Sequence, residues 1–269
     1  MSDIKSKWDR LNTEQIESKI SRSFGSKAHS YNKFALVQRF AANRLIEKLP
    51  ADSPEINHIL EAGCGTGFIS KELVTRYVGK HILLTDISEN MLAVCKDYLN
   101  LGYPDITNVE FIQFDAENEK LNKSFDLIVS GLTAQWFADF KSTMERLISL
   151  VNPGGQIILS YLTDNSFPEW KHMCEISGVE CTANDLPKPD EIRQIPTSAN
   201  IILEPFQLEL RFSKSLDFFR SLKAIGASAQ KNNKRLSTAE FSQLRKTWDS
   251  RTTGCVSVTY KGELAIIQK

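Results

Sequence analysis

Hydrophobic positions change their period twice along this chain. Over residues 11–48 they recur at helical spacing, with Leu36, Phe40, Ala41, Leu45 and Leu49 on one stripe, which predicts helix. Pro50 and Pro54 then break the pattern and mark a boundary. From residue 57, short apolar runs alternate with amphipathic ones. The runs at 58–62, 81–85, 110–114, 125–130 and 156–161 predict strands, and 69–77, 90–100 and 140–151 predict the helices between them. Such alternation implies right-handed βαβ units and a mostly parallel sheet covered by helices on both faces, an α/β fold. After Tyr161 the rhythm fails. Residues 165–178 read as a helix, 182–197 as a polar, proline-bearing connection, and 201–212 as a strand with a proline interruption. Residues 215–227 and 238–249 read as helices, and 256–267 as two short alternating runs around Lys261-Gly262.

Composition narrows the class without naming a chemistry. The 269 residues are 41% hydrophobic and 25% charged, an ordinary globular mixture long enough for a sizeable core. Apolar runs such as those at 157–159 and 264–267 fall far short of the roughly 18–20 residues of a membrane span. The opening Met1-Ser-Asp-Ile-Lys lacks an apolar signal core, and five scattered cysteines form no C-x-x-C pair. A cytoplasmic location with reduced thiols and no membrane partner is therefore expected. Four histidines show no metal-ligand spacing, so no metal is expected.

Net charge is zero, which argues against nucleic acid as a partner, yet the charge is segregated. Residues 1–48 carry +5, residues 49–210 carry −13 and residues 211–251 carry +7. Two basic segments flanking an acidic centre would form, once folded together, a face for an acidic partner.

The chemistry lies in Leu60-Glu-Ala-Gly-Cys-Gly-Thr-Gly-Phe68, directly after the first predicted strand. Glycines 63, 65 and 67 let the backbone approach a ligand with no Cβ intervening, and the next helix N-terminus faces the same ligand. The spacing is G-x-G-x-G rather than the dinucleotide G-x-G-x-x-G, and Glu61 stands close to the glycines, where it would repel a pyrophosphate. Asp86 follows Gly67 by 19 residues at the end of the second strand, placed to accept ribose hydroxyls, and Asp115 ends the third. All three acids fall on the carboxyl edge of the sheet, where open α/β folds bind ligands. S-adenosylmethionine, a nucleoside with a sulfonium and an α-amino group but no phosphate, suits this set.

With Pro153-Gly-Gly155, the ordered set resembles the class I S-adenosylmethionine-dependent methyltransferases over residues 55–162. That resemblance implies a Rossmann-like, mostly parallel seven-stranded sheet with an antiparallel pair at one end. It also implies a cofactor contacted by Glu61, Gly63, Cys64, Gly65, Gly67, Asp86, Ile87, Asp115, Ala116 and Ser130, with Tyr31 of the N-terminal segment the candidate to close over its methionine end. The flanks add Ser23-Phe-Gly-Ser-Lys-Ala-His-Ser-Tyr-Asn, Val37-Gln38, Ser130-Gly-Leu-Thr-Ala-Gln-Trp136 and Leu222-Lys-Ala-Ile-Gly-Ala227. With these the chain resembles the BioC family, the malonyl-[acyl-carrier protein] O-methyltransferases of biotin synthesis, from about residue 20 to 267. One departure is Ser130-Gly131, where that family more often has Ser-Asn.

The resemblance implies methylation of the free carboxylate of a malonyl thioester, on acyl carrier protein or coenzyme A, with S-adenosylhomocysteine as the other product. A carboxylate is already ionised at neutral pH, so no general base is expected, and positioning falls to Tyr31, Gln135 and Trp136. Lys223 and Arg220, with Trp136, are the candidates for holding the malonyl group. Lys231, Lys234 and Arg235 are those for docking an acidic carrier protein. The organisation expected is a helical cap over 1–50, a cofactor-binding core over 51–162, and 163–269 completing the sheet with a helical lid at about 213–251, in a monomer. Two alternatives stay open: a small-acid carboxyl methyltransferase of the trans-aconitate type, and a non-catalytic nucleoside-binding protein.

Overall fold

The computed structural model describes residues 18–103, 106–229 and 234–269. Seven strands form one sheet: β1 (His58–Ala62), β2 (His81–Asp86), β3 (Val109–Gln113), β4 (Phe125–Gly131), β5 (Val151–Leu162), β6 (Asn200–Phe212) and β7 (Val256–Gln268). Their order is β3-β2-β1-β4-β5-β7-β6. β1 to β5 pair in parallel, whereas β7 runs antiparallel to both β5 and β6. The fold is thus a Rossmann-like α/β sheet with helices on both faces.

Burial follows the pleat. Ile59 and Leu60, adjacent in β1, face opposite sides and join different cores. On one side Ile59, Leu84 and Leu127 pack with Leu45 of α2 (Leu36–Ile46), Leu73 of α3 (Ser70–Arg76) and Leu99 of α4 (Glu89–Gly102). On the other, Leu60, Ile128 and Leu159 pack with Met144 and Leu147 of α5 (Phe140–Ser149). Side chains set the helix starts: Ser88 Oγ accepts from Met91 N, and Asp139 Oδ1 from Ser142 N at 3.0 Å.

The N-terminal segment is not one continuous helix. Residues 18–25 are helical, the chain turns at 26–27, α1 (Ala28–Phe34) follows, and Ala35 separates it from α2. Strands β6 and β7 run without a break where their punctuation predicts interruptions at Pro205 and Lys261-Gly262. Pro205 lies inside the 13-residue β6 because this is the outer strand, one side of which needs no backbone donor. Gly262 lies inside the 13-residue β7, not at a turn. A Cβ there would stand 2.3 Å from Phe206 Cζ and 2.4 Å from the Tyr161 carbonyl oxygen, so the glycine makes room for a ring across the sheet.

The connection between β6 and β7 carries α7 (Ser215–Ala224) and α8 (Thr238–Ser250), the latter opened by a reciprocal Ser237/Glu240 capping box. With α6 (Pro168–Ser177) they close over an aromatic cluster that includes Phe167, Trp170, Phe218 and Trp248. Among the described residues, no helix is long and apolar enough to cross a membrane.

Candidate active site

The strand order reverses between β1 and β4, and a cavity opens above that point, at the carboxyl ends of β1 to β4. The glycine turn forms its floor. Gly63 N and Cys64 N both donate to the Thr85 carbonyl at the end of β2, at 2.9 and 2.8 Å, which folds the turn back across the sheet edge. Gly63 takes φ +80°, and a Cβ there would strike Thr133 Oγ1 at 2.1 Å. Gly65, at φ +55°, has nothing within 4 Å of its Cβ position: the space above it is left open by the protein.

Three acids surround this opening. Asp86 accepts from Gly65 N through Oδ2 and from Ser88 N through Oδ1, both at 2.9 Å, binding turn to strand. Loss of hydration outweighs those two donors and pushes its carboxyl up to about 6. Glu61, fully buried, accepts 2.6 Å from Ser70 Oγ. Burial raises it to about 8, the Ser70 bond opposes that, and the neighbouring Asp86 adds to it. Asp115 is tied into its own loop, accepting from Glu117 N and Asn118 Nδ2, each at 2.8 Å. Such a set suits a ligand with hydroxyls and positive charge. Cys64 is no nucleophile: its buried thiol, beside Cys95 and the two carboxyls, is held well above the usual thiol range.

A lid covers the opening. Tyr31 of α1 is buried with Ala35, Met91 and Ile225, and the rings of Phe24, Phe68 and Trp136 crowd around it and one another. Burial and the nearby Asp86 carboxylate keep its phenol protonated, well above its ordinary range. Thr66 Oγ1, in the glycine turn, donates 2.5 Å to Asn32 Oδ1 and latches α1 to the turn. The late segment is tied in too: Ser23 Oγ donates 2.8 Å to the Gly226 carbonyl, and Gly226, at φ +77°, lies too close to Phe24 for any Cβ. The two flanking motifs, far apart in sequence, are therefore one contact.

Behind the lid lies a second cavity of about 590 Å³. Phe24, Tyr31, Gln38, Leu132 and Trp136 line both cavities and form the wall between them. Two features of that wall are unusual. Gln38 Oε1 is buried without a hydrogen-bond partner. Leu132 takes φ +50°, a conformation that a bulky residue adopts only when its surroundings impose it.

A family model described as Methyltransferase domain matches residues 55–205. The chain belongs to the methyltransferase-domain family. It is similar to a malonyl-[acyl-carrier protein] O-methyltransferase of Magnetococcus marinus, 32% identical over 78% of this chain and 77% of that protein. It is also similar to malonyl-[acyl-carrier protein] O-methyltransferase 2 of Ilyobacter polytropus, 31% identical over 84% and 87%. Among solved structures, the YcgJ protein of Bacillus subtilis superposes with a TM-score of 0.61 at 14% identity, covering 86% of this chain and 98% of that one. The magnesium protoporphyrin IX methyltransferase of Synechocystis PCC 6803, solved with bound S-adenosylhomocysteine, superposes with 0.54 at 16% identity, covering 86% and 83%. The fold is that of the S-adenosylmethionine-binding methyltransferases.

In this methyltransferase, Tyr31, Glu61, Gly63, Cys64, Gly65, Asp86, Ile87, Asp115, Ala116 and Trp136 line the first cavity together. Gly67 stands behind the turn, where a Cβ would meet Cys95 Sγ at 3.1 Å. Ser130 is not on the wall: its hydroxyl donates 2.8 Å to the Ala62 carbonyl and joins β4 to β1. Gln135 lines the second cavity, with both ends of its amide engaged, to the Leu132 carbonyl and the Leu162 amide. Lys223 also lines it, whereas Arg220 lies outside both cavities, 3.5 Å from Asp217. Of the three docking candidates, Lys234 lies 3.9 Å from Asp185, Arg235 lines the second cavity, and Lys231 is outside the described residues. Pro153-Gly154-Gly155 sits at the opposite end of β5, hydrogen-bonded to Lys269. Among the described residues, no group of three or more His, Cys, Asp or Glu is placed to hold a metal ion.

Phe24, Gln38, Thr66, Leu132 and Thr133 are site residues that the sequence reading gave no role. The signal for each was membership of a motif: Thr66 lies in the glycine turn, and Phe24, Gln38, Leu132 and Thr133 lie in the flanking segments.

Proposed function

We propose that this methyltransferase transfers a methyl group from S-adenosylmethionine to the free carboxylate of a malonyl thioester borne by an acyl carrier protein. The observation that carries the reading is the junction of the two cavities. A site with buried acids meets a larger, mostly apolar cavity across a wall that holds no general base. The residues fit the cofactor. The open space above Gly65 would admit its methionine end, Asp86 would accept its ribose hydroxyls, and Ile87, Ala116 and Asp115 would hold its adenine. Asp86 supplies negative charge at neutral pH, and Glu61, raised to about 8 by burial, would supply it once a cationic ligand displaces its proton.

When bound, S-adenosylmethionine would supply an electrophilic methyl on a sulfonium, with S-adenosylhomocysteine as the leaving group, and the residues of the shared wall would present the acceptor carboxylate oxygen to that carbon. The protein aligns the acceptor and excludes water. Phe24, Trp136 and Leu132 shut out solvent at the junction, which favours a step that neutralises two opposite charges. Tyr31, locked in its protonated form, and the Gln38 amide are neutral groups able to orient a carboxylate. A cation there would bind the acceptor more tightly than the transition state, in which its charge is disappearing. None is present among the described residues of the shared wall.

The second cavity also favours a thioester over a small free polyacid, because aromatic and aliphatic side chains such as Phe167, Trp170 and Phe219 dominate it. Incubation with S-adenosylmethionine and malonyl-acyl carrier protein should add one methyl, about 14 Da, to the carrier by covalent transfer, and an esterase should remove it. A carrier of unchanged mass, from protein that binds the cofactor, would overturn the reading.

A further inference from the structure

We propose that Lys223 and Arg235 form an anion site at the mouth of the second cavity that takes the phosphate of a phosphopantetheine arm. The inference rests on the thioester reading above. The malonyl group is a three-carbon unit, yet the cavity behind the lid measures about 590 Å³, within the range that holds a whole drug-sized ligand. Most of its volume must therefore accommodate something other than the reacting acid. Both cations line it while remaining solvent-exposed, which places them at its opening rather than at the transfer point. Neither belongs to the wall shared with the first cavity.

Their surroundings favour an anion. Among the described residues, no Asp or Glu lines this cavity, although the central part of the chain is strongly acidic. Among the described residues neither Lys223 nor Arg235 makes an ion pair, whereas the adjacent Lys234 faces Asp185 and Arg220 faces Asp217. The two arrive from separate elements. Lys223 lies in the last turn of α7, two residues before the Ile225 that packs on Tyr31, and Arg235 precedes α8. Arg and Lys together offer a forked donor and a point charge, a combination suited to a phosphate ester. Thr182, Asn184 and Ser228 add polar groups to a lining that is mostly aromatic and aliphatic, chemistry that suits the amides and methylenes of the arm.

The test is calorimetric titration of the full chain, saturated with S-adenosylhomocysteine, with 4′-phosphopantetheine and with pantetheine. The wild-type protein should bind the phosphorylated compound at least about tenfold more tightly, as charge-assisted hydrogen bonds require. That ratio should fall towards one in the Lys223→Gln/Arg235→Gln double variant, with pantetheine affinity as the internal reference. Both positions are exposed, and retained S-adenosylhomocysteine affinity would show that the variant is folded. Equal affinities for the two compounds in the wild type, or a preference that survives the double substitution, would overturn the site. Coenzyme A and holo-acyl carrier protein, titrated in parallel, tell apart the two bearers of the arm; tighter binding by either supports the site. If the phosphate preference is present but malonyl thioesters are not methylated, the acceptor assignment fails and the anion site stands.

Discussion

Gln38 is costly to the fold as it stands, since an amide carbonyl buried without a donor loses hydration and gains nothing in return. Its place on the wall between the cavities accounts for that cost if a ligand donor, such as an ammonium or amide N–H, completes Oε1 while Nε2 donates to the acceptor carboxylate. Gln38→Met keeps the volume and removes the unpaired group. Denaturation should then show a gain of about 1 kcal/mol, while kcat/KM for the acceptor falls about tenfold through loss of one oriented hydrogen bond. A purely structural Gln38 would move both quantities in the same direction. Gly65→Val acts differently: it forces a β-branched residue to φ +55° and fills the space over the turn, so cofactor affinity should drop by two orders of magnitude or more, on the order of 3 kcal/mol. Unchanged affinity by calorimetry would remove the turn from the site. Gly65 and Asp86 were legible because their chemistry is contiguous: strand, glycine turn, strand-end acid. Gln38 was legible as part of a flanking motif but not by role, because one amide on an amphipathic helix looks the same whether it faces water or a ligand. Ser130 misled because a residue's position at a strand end does not tell which way its hydroxyl turns.

At the scale of elements, β1, β2 and β4 were legible as short apolar runs because strands buried on both faces leave no room for polar alternation. The limits of β6 and β7 were legible to within a residue, but the start of β5 and the continuity of β6 and β7 were hidden. Pro153-Gly154, Pro205 and Lys261-Gly262 all carry the signature of turns, and only the antiparallel end of the sheet makes them compatible with strand. The lid was legible as helices but not as an assembly, since its closing contact joins residues 203 positions apart, Ser23 and Gly226. That contact gives the element-scale prediction. Gly226→Val would push side-chain atoms into the backbone of residues 23 and 24 and strain φ +77°. The core sheet does not depend on it, so circular dichroism should stay the same. Tyr31 would lose its packing on Ile225, and KM should rise several-fold for both cofactor and acceptor, with faster proteolysis before residue 35. A rise confined to the acceptor would mean that α1 closes independently of the late segment.

For the whole molecule, the site's acids couple folding, pH and ligand. Asp86 and Glu61 sit at about 6 and about 8, above the ordinary carboxylate range, because the folded chain strips water from them. The folded protein therefore keeps protons that the unfolded chain has released, and the stability this contributes is complete below about pH 4. It is lost as pH rises through 6 for Asp86 and through 8 for Glu61. The melting temperature of the free protein should accordingly fall between about pH 5 and pH 8.5, by several degrees for a shift of one or two kcal/mol in a chain of this size. A cationic ligand reverses the balance: beside a sulfonium and an ammonium the ionised carboxylates are favoured, so binding expels protons and affinity climbs over the same interval. The increase in melting temperature given by S-adenosylmethionine should thus widen with pH. With S-adenosylhomocysteine, which lacks the sulfonium charge, it should widen less. Glu61→Gln cannot ionise and should flatten the upper part of both trends while leaving the part near pH 6 to Asp86. Parallel melting curves for the two ligands across this range would show that the acids shape the turn without sensing the charge transferred above it.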